Sequence, residues 1–352
     1  MSRPRKNPAG GILAKVPGPS VIDGESHQLS YAVMTAPSLP RLCVITPSFR
    51  QGRFIKRTID SVLSQGVACD YVVVDGGSDD ETVDILKSYG ERLRWVSEAD
   101  RGQSDAINKG LRMTDAEIIG WLNSDDVYFP GTLARVQQFF AAHPEFDMVY
   151  GRAHHIDEDD RWIEDYPTEP WDFDRLRKTC YLSQPAVFFR RRLIDRVGPI
   201  DETLHYCMDY DLWLRVAQAG LAVAYLDDCV LAGSRLHAAA KTLAARLPVH
   251  REINDMLKRR LGSVPDAWLS GYAHVVLRRH GWPEHGWRFR TGLCVHASLA
   301  SLRWNRSVRP SLLRMIAAWL FAGVKKRVAA ALRRQFYAAR AWARHFINGW
   351  MR

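Results

Sequence analysis

Between residues 42 and 150, short apolar runs alternate with stretches of helical periodicity, and this alternation limits the fold more than any other feature of the chain. Leu42-Cys43-Val44-Ile45-Thr46 is a compact apolar run stopped by Pro47. Phe54, Ile55, Thr58, Ile59, Val62 and Leu63 then recur at helical spacing. Tyr71-Val72-Val73-Val74 is a second strand candidate, followed by a helix with Val83, Leu86 and Tyr89 on one face. Leu93 to Val96 predicts a third strand, Ser104 to Met113 a helix, and Ile118 to Leu122 a fourth strand. Pro130 opens another helix, and Met148-Val149-Tyr150 reads as a fifth strand. Strands alternating with helices predict an α/β fold with a mostly parallel sheet and helices on both faces. Residues 151–240 are less regular, with an acidic loop (Asp157 to Asp160), the apolar run Ala186-Val187-Phe188-Phe189 and a helix beginning near Asp209. Beyond Leu243 the pattern is helical to the end.

The acidic residues fall at telling places. Asp75 follows the second apolar run, and Asp125 and Asp126 follow the fourth. Strand ends of a parallel sheet share one edge, where open α/β sheets bind ligands. These two clusters are therefore expected to converge. Asp209 and Asp211 open a helix that could close over them. Buried carboxylates are costly unless paired or metal-bound, so Asp125-Asp126 suggests a divalent cation site. Each position also has a plainer reading: a cap for Asp126 or Asp209, an Asx turn for Asp75. Arg101-Gly102-Gln103-Ser104-Asp105 stands at a loop-to-helix junction, where backbone N–H groups favour anions.

In order and spacing these motifs resemble the family 2 glycosyltransferases, which have the GT-A fold, a Rossmann-like sheet with flanking helices. The matching pattern runs through Ile45-Thr46-Pro47-Ser48-Phe49, Val74-Asp75-Gly76-Gly77-Ser78-Asp79-Asp80 and Asp105-Ala106-Ile107-Asn108-Lys109-Gly110. It continues through Trp121 to Asp126, Gln184 to Phe188, Met208 to Arg215 and Arg235-Leu236-His237 with Lys241-Thr242. The resemblance covers roughly residues 40–243. It implies that Thr46, Pro47, Phe49 and Asp75 cradle the nucleoside, with Asp75 on the base. It places Arg101 and Asp105 near the ribose or diphosphate, and Lys241 on the diphosphate from a loop. Asp126 would ligate Mg²⁺ or Mn²⁺ directly. Asp125 would address the ribose or a metal-bound water, and His237 would complete the metal or diphosphate site. Asp209 stands where the family has its general base, with Asp211 as the fallback. Many members carry Glu-Asp there; this chain has Met208-Asp209. The implied reaction is an inverting transfer from a nucleotide-sugar, a UDP-sugar by preference, to a hydroxyl of a glycan or lipid-linked acceptor in cell-surface polysaccharide biosynthesis.

Composition adds a second theme. The net charge is +10, yet residues 285–352 hold fourteen Lys or Arg and no Asp or Glu. Subtracting those fourteen from +10 leaves −4 for residues 1–284. Trp319, Phe321, Phe336, Trp342, Phe346 and Trp350 punctuate this basic tail, an amphipathic pattern that suits an anionic membrane surface. It contains no nucleic-acid-binding module, and no nucleic acid is expected as a partner. No stretch is long enough and free enough of charge to span a bilayer. The six cysteines are scattered, with no CxxC pair, as in a reducing cytosol. These features predict a mobile arm over 1–39, a catalytic domain over 40–243, and a helical basic region over 244–352. They also predict a cytoplasmic protein, peripheral on the inner face of the membrane. A sugar nucleotidyltransferase and a non-catalytic sugar-nucleotide-binding scaffold are the alternatives. The first fits poorly, because no Gly-rich nucleotide loop follows the first strand.

Overall fold

The computed structural model describes residues 39–238 and 245–320. Residues 1–38 of the predicted N-terminal arm, Lys241, and the tail aromatics Phe321, Phe336, Trp342, Phe346 and Trp350 lie outside the described residues. The sheet starts from β1 (Leu42–Ser48), which pairs in parallel with β2 (Asp70–Asp75) on one side and β4 (Ile118–Trp121) on the other. β3 (Arg94–Ser97) extends it beyond β2, also in parallel. The connecting helices are α1 (Gly52–Leu63), α2 (Thr82–Ser88) and α3 (Gln103–Arg112). β5 (Val127–Tyr128), α4 (Thr132–Ala142) and β6 (Met148–Ile156) follow. Next come β7 (Trp162–Asp165), α5 (Phe173–Leu176) and β8 (Val187–Arg190).

With β9 (Val223–Arg235), the strand order is β3-β2-β1-β4-β8-β6-β9-β5, and β7 pairs with β6. β8 runs antiparallel to both β4 and β6, so β6 points the same way as β4. β9 is parallel to β6. Six strands thus share one direction, and β5, β7 and β8 oppose them. The expected mostly parallel sheet is present, but residues 151–240 are far from irregular: they contain most of its second half.

Alternation along each strand builds two cores. Cys43, Ile45, Val72, Val74, Ile119 and Trp121 face one side. Leu42, Val44, Tyr71, Val73 and Ile118 face the other. Side chains two residues apart share a face of a strand, so runs that are apolar throughout must be covered on both. The second face is covered by Ile55 and Ile59 of α1, Leu86 of α2 and Leu133 and Val136 of α4. The first packs on α3, on α7 (Met208–Gln218), and on the helices beyond it. At Gly110 a Cβ would collide with Ile45, so glycine there lets α3 lie close against β1. α6 (Arg191–Val197) follows β8 directly.

The C-terminal region is helical as expected: α8 (Arg246–Leu261), α9 (Asp266–Arg279), α10 (Gly286–Asn305) and a further helical stretch from residue 310. Met256, Leu257, Leu269, Leu277, Leu293 and Trp304 join the same apolar cluster as Trp213 of α7. Among the described residues no helix is long and apolar enough to cross a membrane.

Candidate active site

The C-terminal ends of β1, β2, β3 and β4 open onto one cleft of about 530 Å³. Pro47, Ser48 and Phe49 enter it from β1, Gly76 from β2, Ala99 and Asp100 from β3, and Asn123 to Asp126 from β4. The far wall is His205, Tyr206, Met208 and Asp209 before and at the start of α7, with Ser234 and Arg235 closing the base from β9. Parallel strands deliver these loops to one edge, as the sequence requires.

The Asp125-Asp126 turn is held from several directions. The Thr58 hydroxyl of α1 lies 2.9 Å from the Ser124 carbonyl and 2.7 Å from that of Asp126. The backbone N–H of Arg235 donates to Asp126 Oδ1 at 2.8 Å, and its Nε donates to the Asp125 carbonyl at 2.6 Å. The Arg235 guanidinium is itself fixed by Asp160 at 2.5 Å, by the Asp157 carbonyl, and by the Phe54 ring beneath it. His237 Nε2 sits 3.0 Å from Asp125 Oδ2, with its ring 4.7 Å from that of Phe54. Asp126 caps no helix: α4 starts at Thr132 behind Gly131. Asp126 is buried, and its Oδ2 has one long partner, Asn123 Nδ2 at 3.4 Å. Burial, reinforced by the neighbouring charge of Asp125, pushes its carboxyl well above the usual carboxylate range.

That donor set suits a hard cation. Among the described residues no three His, Cys, Asp or Glu side chains are grouped so as to hold a metal ion by themselves. Mg²⁺ is commonly held by one or two carboxylates plus substrate phosphates rather than by an all-protein shell. A cation at Asp126, with Asp125 and His237 beside it, would offset a buried charge that Arg235 only partly counters.

Asp209 stands in the first turn of α7 on the opposite wall. Burial pushes its carboxyl up to about 6, and the negative charge of Glu252 adds to the rise, while backbone N–H groups oppose it. Asp211, two residues on, is fully buried and turned away. Its carboxylate is shared between Arg215 Nε at 2.8 Å and Arg260 Nε at 2.6 Å. The structure thus brings Asp209 to the cleft and commits Asp211 to the joint between α7 and α8.

The remaining expected residues divide in the same way. Pro47 and Phe49 line the cleft. The Thr46 hydroxyl lies beneath it, 3.1 Å from Tyr71 Oη. Asp75 is fully buried under the cleft floor, and its carboxylate accepts from Gly77 N, Ser78 N, Ser78 Oγ and Ser97 Oγ. Asp105 accepts from the backbone N and the guanidinium of Arg101, which holds its carboxyl below the usual range. Arg101 also pairs with Glu202 at 2.5 Å, and neither Arg101 nor Asp105 is a lining residue. Sequence reasoning passed over Asp100, Asn123, Gln103, Gln184, His205, Tyr206 and Arg235. Asp100 approaches Gly76 so closely that a Cβ there would lie 2.9 Å from its Oδ2. Gln103 Nε2 and Trp121 Nε1 both donate to Asn123 Oδ1. Gln103, Asn123, Gln184 and Arg235 stood inside the quoted motifs. For Asn123 and Gln184 the signal was a polar residue set against a buried apolar run, which burial alone would disfavour; Arg235 carried none.

Comparison with known proteins gives three concordant results. Residues 43–198 match the family model described as glycosyl transferase family 2. A Rickettsia prowazekii protein named uncharacterized glycosyltransferase RP339 is 29% identical over 266 residues, 69% of this chain and 81% of that protein. A PGL/p-HBAD biosynthesis glycosyltransferase of Mycobacterium bovis is 28% identical over 252 residues, 70% of this chain and 92% of that protein. Among solved structures, S. aureus TarS 1-349 in complex with UDP-GlcNAc superposes with a TM-score of 0.54 at 15% identity, covering 80% of this chain and 88% of that one. The mannosyltransferase PcManGT of Pyrobaculum calidifontis, in complex with GDP-Man and Mn²⁺, gives 0.51 at 19% identity, covering 85% and 84%. At these identities the structural matches speak for the fold alone.

Proposed function

The chain belongs to glycosyltransferase family 2, has the GT-A fold and is a glycosyltransferase, and on that premise we propose that it carries out a metal-dependent, inverting transfer from a nucleotide-sugar to an acceptor hydroxyl. Membership of the family sets aside the nucleotidyltransferase and the non-catalytic scaffold. The observation that carries the proposal is the pairing, across one cleft, of a desolvated carboxylate poised for a cation with a second carboxylate raised to about 6.

Asp126 would ligate Mg²⁺ or Mn²⁺, with Asp125 and His237 beside it and the donor's phosphates supplying further oxygens. The metal, when bound, supplies positive charge against the departing diphosphate. The loops after β1 to β3 would take the nucleoside, and Asn123 and Arg235 would keep the acidic turn in place. Asp209 accepts the proton of the acceptor hydroxyl as that oxygen attacks the anomeric carbon from the opposite face. A carboxyl near 6 is about nine-tenths ionised at pH 7 and is a stronger base than an ordinary aspartate. We favour a UDP-sugar donor and a glycan or lipid-linked acceptor in cell-surface polysaccharide biosynthesis. Catalysis is assigned to residues 40–243.

The region from 244 onward is proposed to rest on an anionic membrane surface. Val295, Leu299 and Leu302 are exposed at helical spacing on α10, with Trp287 and Leu313 also exposed nearby in sequence. Exposed Arg288, Arg303, Arg306 and Arg314 accompany them. Apolar residues among cations suit the headgroup boundary. Flotation of the full chain with anionic but not with zwitterionic vesicles is expected, and equal sedimentation with both would reject this assignment. For the reaction itself, nucleotide-sugars should raise the melting temperature with Mn²⁺ present and less without it. The shifting donor should then be consumed when acceptor is added. No metal-dependent shift with any nucleotide-sugar would overturn the donor and metal assignments.

A further inference from the structure

α8 lies beyond the segment matched by the family model, yet it reaches the cleft wall. Glu252 Oε1 accepts the backbone N–H groups of Tyr206 at 2.7 Å and Cys207 at 2.9 Å, and Oε2 accepts that of His205 at 2.9 Å. Three consecutive amides are thus gathered by one carboxylate. On their other side His205 and Tyr206 line the cleft, and Cys207 is the residue from which α7 starts, two positions before Asp209. Hydrogen bonds to an ionised acceptor are about twice as strong as neutral ones.

The contact belongs to a designed helix face rather than to a chance meeting of loops. Glu252, Met256 and Arg260 recur every four residues and so share one side of α8. Met256 is fully buried in the cluster that contains Met208, Leu212 and Trp213 of α7. Arg260 pairs with Asp211, and its carbonyl accepts from Gln218 Nε2 at 3.0 Å. α8 therefore grips α7 along its length, and Glu252 is the end of that grip nearest the cleft. Its charge also acts on Asp209. Among the described residues, titratable groups that interact with Asp209 include Glu252, Cys207, Cys180 of the segment before β8, and Tyr166 after β7. Of these, Glu252 is the one whose charge raises the Asp209 carboxyl.

We propose that Glu252 is a positioning residue for the transfer reaction: from the C-terminal helices it fixes the 205–207 loop and the start of α7, and so places Asp209 against the acceptor. The inference rests on Asp209 acting as the base. It assigns to the region beyond the matched domain a part in positioning the base.

The test compares the full-length protein with Glu252→Gln and Glu252→Ala. Both variants should exchange the amide hydrogens of His205, Tyr206 and Cys207 faster. Both should lose about tenfold or more in kcat, since small misplacement of a reacting group is costly. Nucleotide-sugar binding in the presence of Mn²⁺ should stay within about twofold, because the donor side of the cleft does not depend on the loop. In Glu252→Gln, whose shape is conserved, the acidic limb of the kcat–pH profile should also move to lower pH, as removing a negative charge eases ionisation of Asp209. Faster exchange with kcat and the acidic limb unmoved would make Glu252 a structural clip and overturn the proposal. Unchanged exchange would overturn it as well. A wild-type chain that transfers no sugar would bring down the proposed reaction and this inference together, whereas an active wild type with an unaltered Glu252→Gln would bring down the inference alone.

Discussion

At one end of the cleft, Asp125 and Asp126 are fixed by residues of the sheet and its first helix: Thr58, Asn123, Arg235 and His237. At the other end, Asp209 stands on a helix whose start is held by Glu252, from the region beyond Leu243. The first wall follows from strand ends meeting at one edge, which any doubly wound sheet provides. The second depends on a helical region outside the matched family segment. The two walls should therefore fail differently. The donor wall should fail by losing cation and nucleotide, and the acceptor wall by losing turnover while the donor still binds.

The largest effect is expected at Asp126. Asp126→Asn keeps the shape of the side chain but removes the charge that a cation would neutralise. Transfer should fall by about a thousandfold or more, given that charge stabilisation of this kind contributes several kcal/mol. The Mn²⁺-dependent stabilisation by nucleotide-sugar should vanish with it. Near-normal turnover, or a retained Mn²⁺-dependent shift in melting temperature, would remove the metal assignment.

Asp209→Asn should come second, with kcat down by about 10²- to 10⁴-fold, the usual range for a lost general base. Donor binding should persist. In the wild type, kcat should rise with pH through about 6, because Asp209 must be ionised to accept a proton. The sign follows from the raised carboxyl: below that pH the protonated form predominates and turnover is lost. Calorimetric titration with the nucleotide-sugar and a kcat–pH profile separate the possibilities. A variant that keeps both the turnover and the acidic limb would move the base elsewhere.

The contrast between the walls also marks what the sequence could disclose. Of the strands from Leu42 to Trp121, β1, β2 and β4 were legible because each carries a buried apolar run between clear helical periods, whereas β3, with Arg94 exposed and the rest half-buried, was legible chiefly from its place between two helical periods. β9 was not. It carries Asp227 and Asp228 in its middle, much of it is only partly buried, and its pairing with β6 slips near Gly151 and Arg152. Neither apolar run nor alternation survives such a strand. The reversal of β8 was equally hidden, since an apolar run has no readable direction. Asp125-Asp126 was visible as charge at the end of a buried run. Asp75 and Asp105 were visible too, but the same sequence signal does not show whether a carboxylate faces the cleft or is consumed by neighbours such as Ser78, Ser97 and Arg101. Arg235 and Glu252 act across separations of more than forty residues, beyond the reach of any local pattern.

Asp209 and Asp211 show that limit within a single turn. Two residues along an α-helix is a rotation of about 200°, so the two carboxylates must face nearly opposite ways. The sequence dictates that only one can reach the cleft, and tertiary contacts decide which. Asp211 is enclosed by Arg215, one-tenth exposed, and Arg260, one-third exposed. Asp211→Asn should leave the cleft intact but strand two guanidinium groups beside a neutral amide. Breaking a buried pair costs about 3–5 kcal/mol, and the partial exposure of Arg260 argues for the lower end. The melting temperature should fall by roughly 5–10 °C, while kcat measured per folded molecule stays within about twofold of wild type. Paired measurements of melting temperature and active-site-normalised kcat decide the matter. A collapse in kcat at unchanged stability would mean that the α7–α8 joint takes part in the chemistry, and the division between a catalytic and a structural aspartate on this helix would have to be withdrawn.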